Sequence, residues 1–144
     1  MRGRENETPD TDRWRRRDWW GVVLEAPDPH LLLVFWSALL DKPIHSESES
    51  GGALDFGEGV AHLSVQKAEV FDPPVWPAQR GAQGMQLHLD IEVSDLSAAV
   101  EHAQELGATL ADFQPQDDVR VLLDPAGHPF CLYSSGALEG VSSR

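Results

Sequence analysis

The feature that most constrains this chain is an internal repeat. GVVLEAPDPHLLLVFWSALLDK from Gly21 and HLDIEVSDLSAAVEHAQELGAT from His88 align at a constant offset of 67 residues. The offset pairs Leu24 with Ile91, Glu25 with Glu92, Ala26 with Val93, Asp28 with Asp95 and Leu39 with Leu106. A chain that repeats itself at this spacing builds one supersecondary unit twice. The fold is thereby restricted to architectures with two like halves.

Each copy reads as a strand, a short turn carrying Asp, and a helix. In the stretch MQLHLDIEV, residues 85 to 93, a period of two separates Leu87, Leu89, Ile91 and Val93 from Gln86, His88, Asp90 and Glu92. Asp28 and Asp95 stand where a side chain would cap the first free helix amides. Leu96, Ala99, Val100, Ala103 and Leu106 recur at helical spacing, and Gly107 is expected to stop that helix. Strands follow each helix: ALDFG and VAHLSVQKA, with PIHSES a weaker candidate, in the first half; TLADFQ, DVRVLLD and PFCLYS in the second. DPAGHP supplies the residues of a tight turn, so the last two strands form a hairpin. The segment FDPPVWPAQRGAQG is too rich in proline for an interior strand and joins the halves. The class is α+β.

Charge is uneven. Residues 1 to 17 hold six arginines against four carboxylates, a net of +2, so the remainder carries −15 of the chain's total of −13. Such a body repels nucleic-acid phosphates and anionic membranes, and its field favours cationic or neutral small molecules. The run RWRRRDWW is expected to be a solvated arm and not a nucleic-acid site. The longest apolar run, LLLVFWSALL, is too short to span a bilayer. Residues 1–18 lack the apolar core of a secretory signal, and the lone Cys131 has no internal disulfide partner, so a cytoplasmic location is expected.

HLDIEVSDLSAAVEHAQELGA, LLDPAGHPFCLY and LEAPDPHLLLVFWSALL together resemble the vicinal oxygen chelate superfamily, the glyoxalase and bleomycin-resistance proteins, and within it the glyoxalase-like branch. The resemblance spans residues 19 to 135. It implies two βαβββ modules whose strands form a curved eight-stranded mixed sheet around a cavity, with helices on the convex face. The expected organisation is a flexible basic arm at 1–17, one domain at 18–135 and a tail at 136–144. Within the domain, module one covers about 18–70, the connector 71–84 and module two about 85–135.

On that fold Leu87, Leu89, Ile91 and Val93 would lie under the second helix, as Trp20, Val22, Leu24 and Ala26 would under the first. Gln86, His88, Asp90 and Glu92 would line the cavity, facing Trp19, Gly21, Val23 and Glu25. Alternation adds His62, Ser64 and Gln66 from AHLSVQK, and Cys131 and Tyr133 from PFCLYS. The expected ligand-binding residues are Trp19, His62, Gln66, Asp90, Glu92, Cys131 and Tyr133. His88 and Glu25 are the candidates for general acid–base work, since imidazole and carboxylate groups on one face can exchange protons near neutral pH. His128 is expected to cap its turn; His30, His45 and His102 are expected to be exposed.

Metal enzymes of the superfamily hold one divalent ion with four side chains, from the first and last strand of each module. Carried over, these positions are Gly21 and His88 on the first strands and Gln66 and Cys131 on the last. Gly21 offers no side chain, and Cys131 stands where the metal enzymes carry Glu in a GNxxEL-type ending. His88, Gln66 and Cys131 would therefore suit zinc or a similar ion better than magnesium or manganese. The favoured expectation is a protein without a cofactor that binds a small, cationic or aromatic molecule in an acidic, polar-lined cavity. The alternatives are a divalent-metal-dependent lyase, isomerase or dioxygenase, and a non-catalytic protein-interaction module. A homodimer is expected from the resemblance.

Overall fold

The computed structural model describes residues 19–57 and 61–134; the arm expected at 1–17 and the tail expected at 136–144 lie outside the described residues. The chain divides into two compact units, residues 1–69 and 70–144. Each contains one strand–helix–three-strand module, so eight strands and two helices make an α+β protein.

Module one runs β1 (Trp20–Ala26), α1 (Pro29–Leu40), β2 (Ile44–Ser48), β3 (Gly51–Leu54) and β4 (Ala61–Lys67), in the sheet order β1-β4-β3-β2. β1 and β4 are parallel, and the other pairs antiparallel. The weakest strand candidate, PIHSES, is thus a full sheet member. α1 starts because Asp28 Oδ1 accepts the Leu31 amide at 3.0 Å and Pro29 needs no amide partner in the first turn. Its Leu32, Leu33, Phe35 and Trp36 are buried with Leu24, Ala26, Leu63 and Val65 of the sheet. Each such large side chain contributes about 1.5–3 kcal/mol of burial free energy. α1 and the strands below it therefore supply most of this module's stability.

Module two repeats the plan: β5 (Asp90–Val93), α2 (Leu96–Glu105), β6 (Thr109–Leu110), β7 (Val119–Leu123) and β8 (Pro129–Ser134), in the order β5-β8-β7-β6. Asp95 Oδ1 accepts the Ala98 amide at 3.0 Å, the counterpart of the Asp28 cap. α2 ends in a Schellman motif: the Ala108 amide reaches Ala103 O at 2.9 Å and the Gly107 amide reaches Gln104 O at 3.0 Å. Gly107 lies at φ 114°, a conformation that a side chain would strain. Only Ala103 of α2 is fully buried, against five residues of α1. The core here is thinner and rests on Val121, Leu122, Phe130 and Leu132 of the sheet.

Three expectations need correction. The strand read from residue 85 begins at Asp90, with sheet pairing reaching back only to the Leu89 carbonyl, which accepts the Cys131 amide at 2.9 Å. Leu87, expected beneath α2, lies before that point and is 61% exposed. Without a strand partner its alternation has no sheet face to follow. Trp20, expected beneath α1, is 55% exposed, because it opens β1 while Leu24 and Ala26 further along meet the helix. TLADFQ gives only Thr109–Leu110 as strand. Beyond it the Ala111 amide still donates to Val121 O at 3.1 Å, and the Gln114 side chain takes the other half of that pairing: its amide donates to Ala111 O at 2.8 Å and Val121 O at 2.9 Å, and its oxygen accepts from Val121 N at 2.9 Å.

The connector is held against module two. Phe71 stacks edge-on against His128 with centroids 5.4 Å apart, and Trp76 Nε1 donates to Phe113 O at 3.0 Å. The β7–β8 turn is organised by Asp124, the buried carboxylate of the described residues. It accepts from Ala126 N and His128 N at 3.0 Å and contacts His128 Nδ1 at 2.9 Å. The capping role expected of His128 therefore belongs to its partner. No described helix is long and apolar enough to cross a membrane.

Candidate functional site

The polar face of each sheet is set by register. In module one the parallel pairing of β1 with β4 puts Gly21 opposite His62, Val23 opposite Ser64 and Glu25 opposite Gln66. Glu25 and Gln66 are exposed, while His62 and Ser64 are half-buried. In module two β5 and β8 put Asp90 opposite Cys131 and Glu92 opposite Tyr133. Both pairings keep the offset of the repeat, so Ser64 is the counterpart of Cys131 and Tyr133 that of Gln66.

Gly21 is where module one differs most. A Cβ built on it would sit 2.5 Å from His62 Nε2, inside any allowed contact. The imidazole therefore occupies the space into which a side chain at position 21 would project. Trp19 stands edge-on to the same ring with centroids 5.9 Å apart. His62 Nδ1 is buried without a hydrogen-bond partner, which places an unsatisfied polar atom on this face.

Module two brings three of the expected residues together. His88 Nε2 lies 3.1 Å from Asp90 Oδ1, and ligand atoms of His88, Asp90 and Cys131 all fall within 4.8 Å of one another. His88 and Asp90 are exposed, and Cys131 is half-buried. Burial pushes the Cys131 thiol up to about 11, helped by the negative charge of Asp90 and by the hydrogen bond the thiol donates to that carboxylate. Val121, buried, pairs with Cys131 from the other side and adds to the apolar surroundings. At neutral pH this thiol is protonated and is a poor nucleophile. Of the remaining expected residues, Gln86 is exposed and donates to Gly84 O at 3.3 Å. His30, His45 and His102 are exposed, as expected.

The register also tests the family's four-ligand metal centre. Position 21 has no side chain and its space is filled; the counterpart of Cys131 is Ser64, a neutral hydroxyl and a poor ligand for a divalent ion. Gln66, which the resemblance put in that role, sits two residues further along and faces Glu25. At the positions equivalent to His88 and Cys131 module one supplies no pair of hard ligands, so the four-ligand centre does not carry over at those positions. The sequence reading places Ser64 and Asp90 on the polar faces but leaves both out of the metal-ligand set. The signal was available, since applying the repeat offset to the last strands leads from Cys131 to Ser64.

A family model described as "glyoxalase-like domain" matches residues 21–133. Solved structures with the same fold include a glyoxalase/bleomycin resistance protein/dioxygenase family enzyme from Burkholderia phytofirmans, at 17% identity and a TM-score of 0.59 over 79% of this chain and 95% of that one. The fosfomycin resistance protein FosX from Mesorhizobium loti matches at 12% identity and a TM-score of 0.60, over 83% and 92% of the two chains. A glyoxalase/bleomycin resistance protein from Albidiferax ferrireducens matches at 17% identity and a TM-score of 0.54, over 81% and 97%. No curated protein matches the sequence.

Proposed function

The chain belongs to the glyoxalase-like domain family, and within that family we propose that it binds a small organic molecule without the family's four-ligand metal centre. The observation that carries this reading is the Gly21–His62 pair. Where module two presents His88 and Cys131, module one presents Gly21 and Ser64, and an imidazole fills the space above the glycine. The polar face of module one supplies what a binding site needs: an aromatic edge at Trp19, an imidazole at His62 and hydrogen-bonding groups at Ser64 and Gln66. The Glu25 carboxylate, opposite Gln66 on the same face, favours a cationic ligand, and the acidic composition of the protein reinforces that preference. Structural neighbours named for resistance to bleomycin and fosfomycin agree with small-molecule recognition. A homodimer and a cytoplasmic location belong to the same reading; the free thiol of Cys131 suits a reducing compartment.

Thermal unfolding in the presence of Mg²⁺, Mn²⁺ and a series of cationic aromatic compounds tests the proposal. The expected result is no stabilisation by either hard cation. At least one cationic aromatic compound should stabilise by about 2–3 kcal/mol at a hundredfold excess over its Kd. Glu25→Gln should weaken that compound's binding, and added salt should do the same. Stoichiometric binding of Mn²⁺ or Mg²⁺ would overturn the reading.

A further inference from the structure

We propose that the open groove between α2 and β7 seats the chain's own segment 135–144, which lies along α2 with Leu138 and Val141 in the groove and Glu139 against Arg120. The groove has a volume of about 470 Å³ and is lined by Leu96, Ser97, Val100, Glu101, Gln104 and Arg120. The inference does not rest on the ligand-binding reading, because no residue of module one takes part.

Topology brings the segment to the groove. β8 is parallel to β5, and its last residue, Ser134, stands opposite Val93. α2 begins three residues after Val93 and packs back over β8 and β7, so β8 ends at the edge where α2 starts. β7 flanks the same end from the other side: Arg120 pairs with Leu132, and the Ser134 amide donates to Asp118 O at 3.5 Å. Leu132 is buried in the core, so Arg120, its partner across the ladder, projects to the same helix-covered face. The groove therefore opens beside the point where the chain leaves the sheet. Gly136 is the second residue beyond that point and permits the turn into the groove. Ten residues extend to roughly 33 Å and a ten-residue helix is about 15 Å long, so segment 135–144 has reach enough to follow α2.

The chemistry of groove and segment is complementary. Leu96 and Val100 are half-buried, one helical turn apart, and leave part of an apolar stripe in solvent beside the thin core of module two. Leu138 and Val141 are the large apolar residues of segment 135–144, and covering the stripe removes both partners from water. The Arg120 guanidinium is fixed at the groove's edge, where Nη1 donates to Gln116 O at 3.1 Å, Asp117 O at 2.9 Å and Val119 O at 2.8 Å. Those bonds use one nitrogen and leave Nη2 and Nε to donate to a carboxylate. Glu139, next to Leu138, is the carboxylate of the segment, and Arg144 is the counter-charge for Glu101 on the α2 wall.

Methyl-labelled NMR of the full chain tests this seat directly. Nuclear Overhauser contacts are expected from the Leu138 and Val141 methyls to those of Leu96 and Val100. Hydrogen exchange gives the energetic reading. Deleting residues 136–144 should speed exchange of the α2 amides about tenfold, the factor that burial of one large apolar side chain supplies, and leave the α1 amides unchanged. Leu138→Asp in the full chain should do the same, and Glu139→Lys should give a smaller acceleration of the same amides. Segment 135–144 follows the last strand, so these variants leave the eight strands and two helices in place, which circular dichroism checks. Absence of the methyl contacts would overturn the proposal, as would α2 exchange that is the same with and without residues 136–144. So would contacts that appear only between differently labelled copies in a mixed sample, since the groove would then be an interface between two chains.

Discussion

Cys131 and Gly21 show how far single residues determine what the two sheets present. The neutral form of the Cys131 thiol is the one the fold favours, and the group is moved from its ordinary 9.0 to about 11. Between those values the unfolded chain ionises its cysteine while the folded chain does not. Stability is therefore expected to be unaffected by this group below about pH 9 and to fall as pH rises toward 11. Alkylation by iodoacetamide, followed against pH, should be slow at pH 8 and reach half its limiting rate near 11. Asp90→Asn should move that midpoint downward; an unchanged midpoint would show that the carboxylate does not hold the thiol. Gly21 makes a different point, since a Cβ there meets the His62 ring at 2.5 Å. Gly21→Ala is expected to destabilise by about 1–3 kcal/mol through overpacking. Most of that loss should vanish in a His62→Ala background, and a urea-denaturation double-mutant cycle measures the coupling. Additive effects would mean that the ring moves aside at no cost.

At the scale of elements, the ends are set locally and the pairings are not. Asp28 and Asp95 cap the two helices with the same 3.0 Å bond to the third residue on. Gly107 closes α2, and Asp41 at φ 51° takes the corresponding left-handed position after α1. All but the last are legible from residue type, because a cap needs only its own neighbours. β6 and β7 are the contrary case. A strand expected over six residues covers two, one further backbone bond joins Ala111 to Val121, and the Gln114 side chain completes that pairing with three hydrogen bonds, from 2.8 to 2.9 Å. Nothing local to TLADFQ announces that a glutamine amide will stand in for backbone. Gln114→Ala should cost about 2–3 kcal/mol, measured by urea unfolding, since it leaves the Val121 amide and two carbonyls without this partner. Gln114→Glu should recover only part of that stability, because a carboxylate keeps the acceptor and loses both donors.

At the scale of the whole molecule, duplication is the organising fact, and the two copies have been used differently. One has a thick core of large side chains and a polar face with Gly21, His62 and Ser64. The other has a thinner core and a face with His88, Asp90 and Cys131. The sequence by itself determined the repeat, the α+β class, both helices with their caps, and the residues available to each polar face. These follow from periodicity and from interactions within a few residues, and both survive without knowledge of the fold. Only the tertiary structure decided where β5 begins, so that Leu87 stays in solvent, that Trp20 at the start of β1 is exposed as well, and which residues of neighbouring strands stand opposite each other. It alone showed an imidazole filling the place of a missing side chain and a thiol held by a carboxylate. Such facts depend on strand register and on contacts between residues some forty positions apart. Hydrophobic alternation constrains these only to the nearest face and leaves the pairing to the packed sheet.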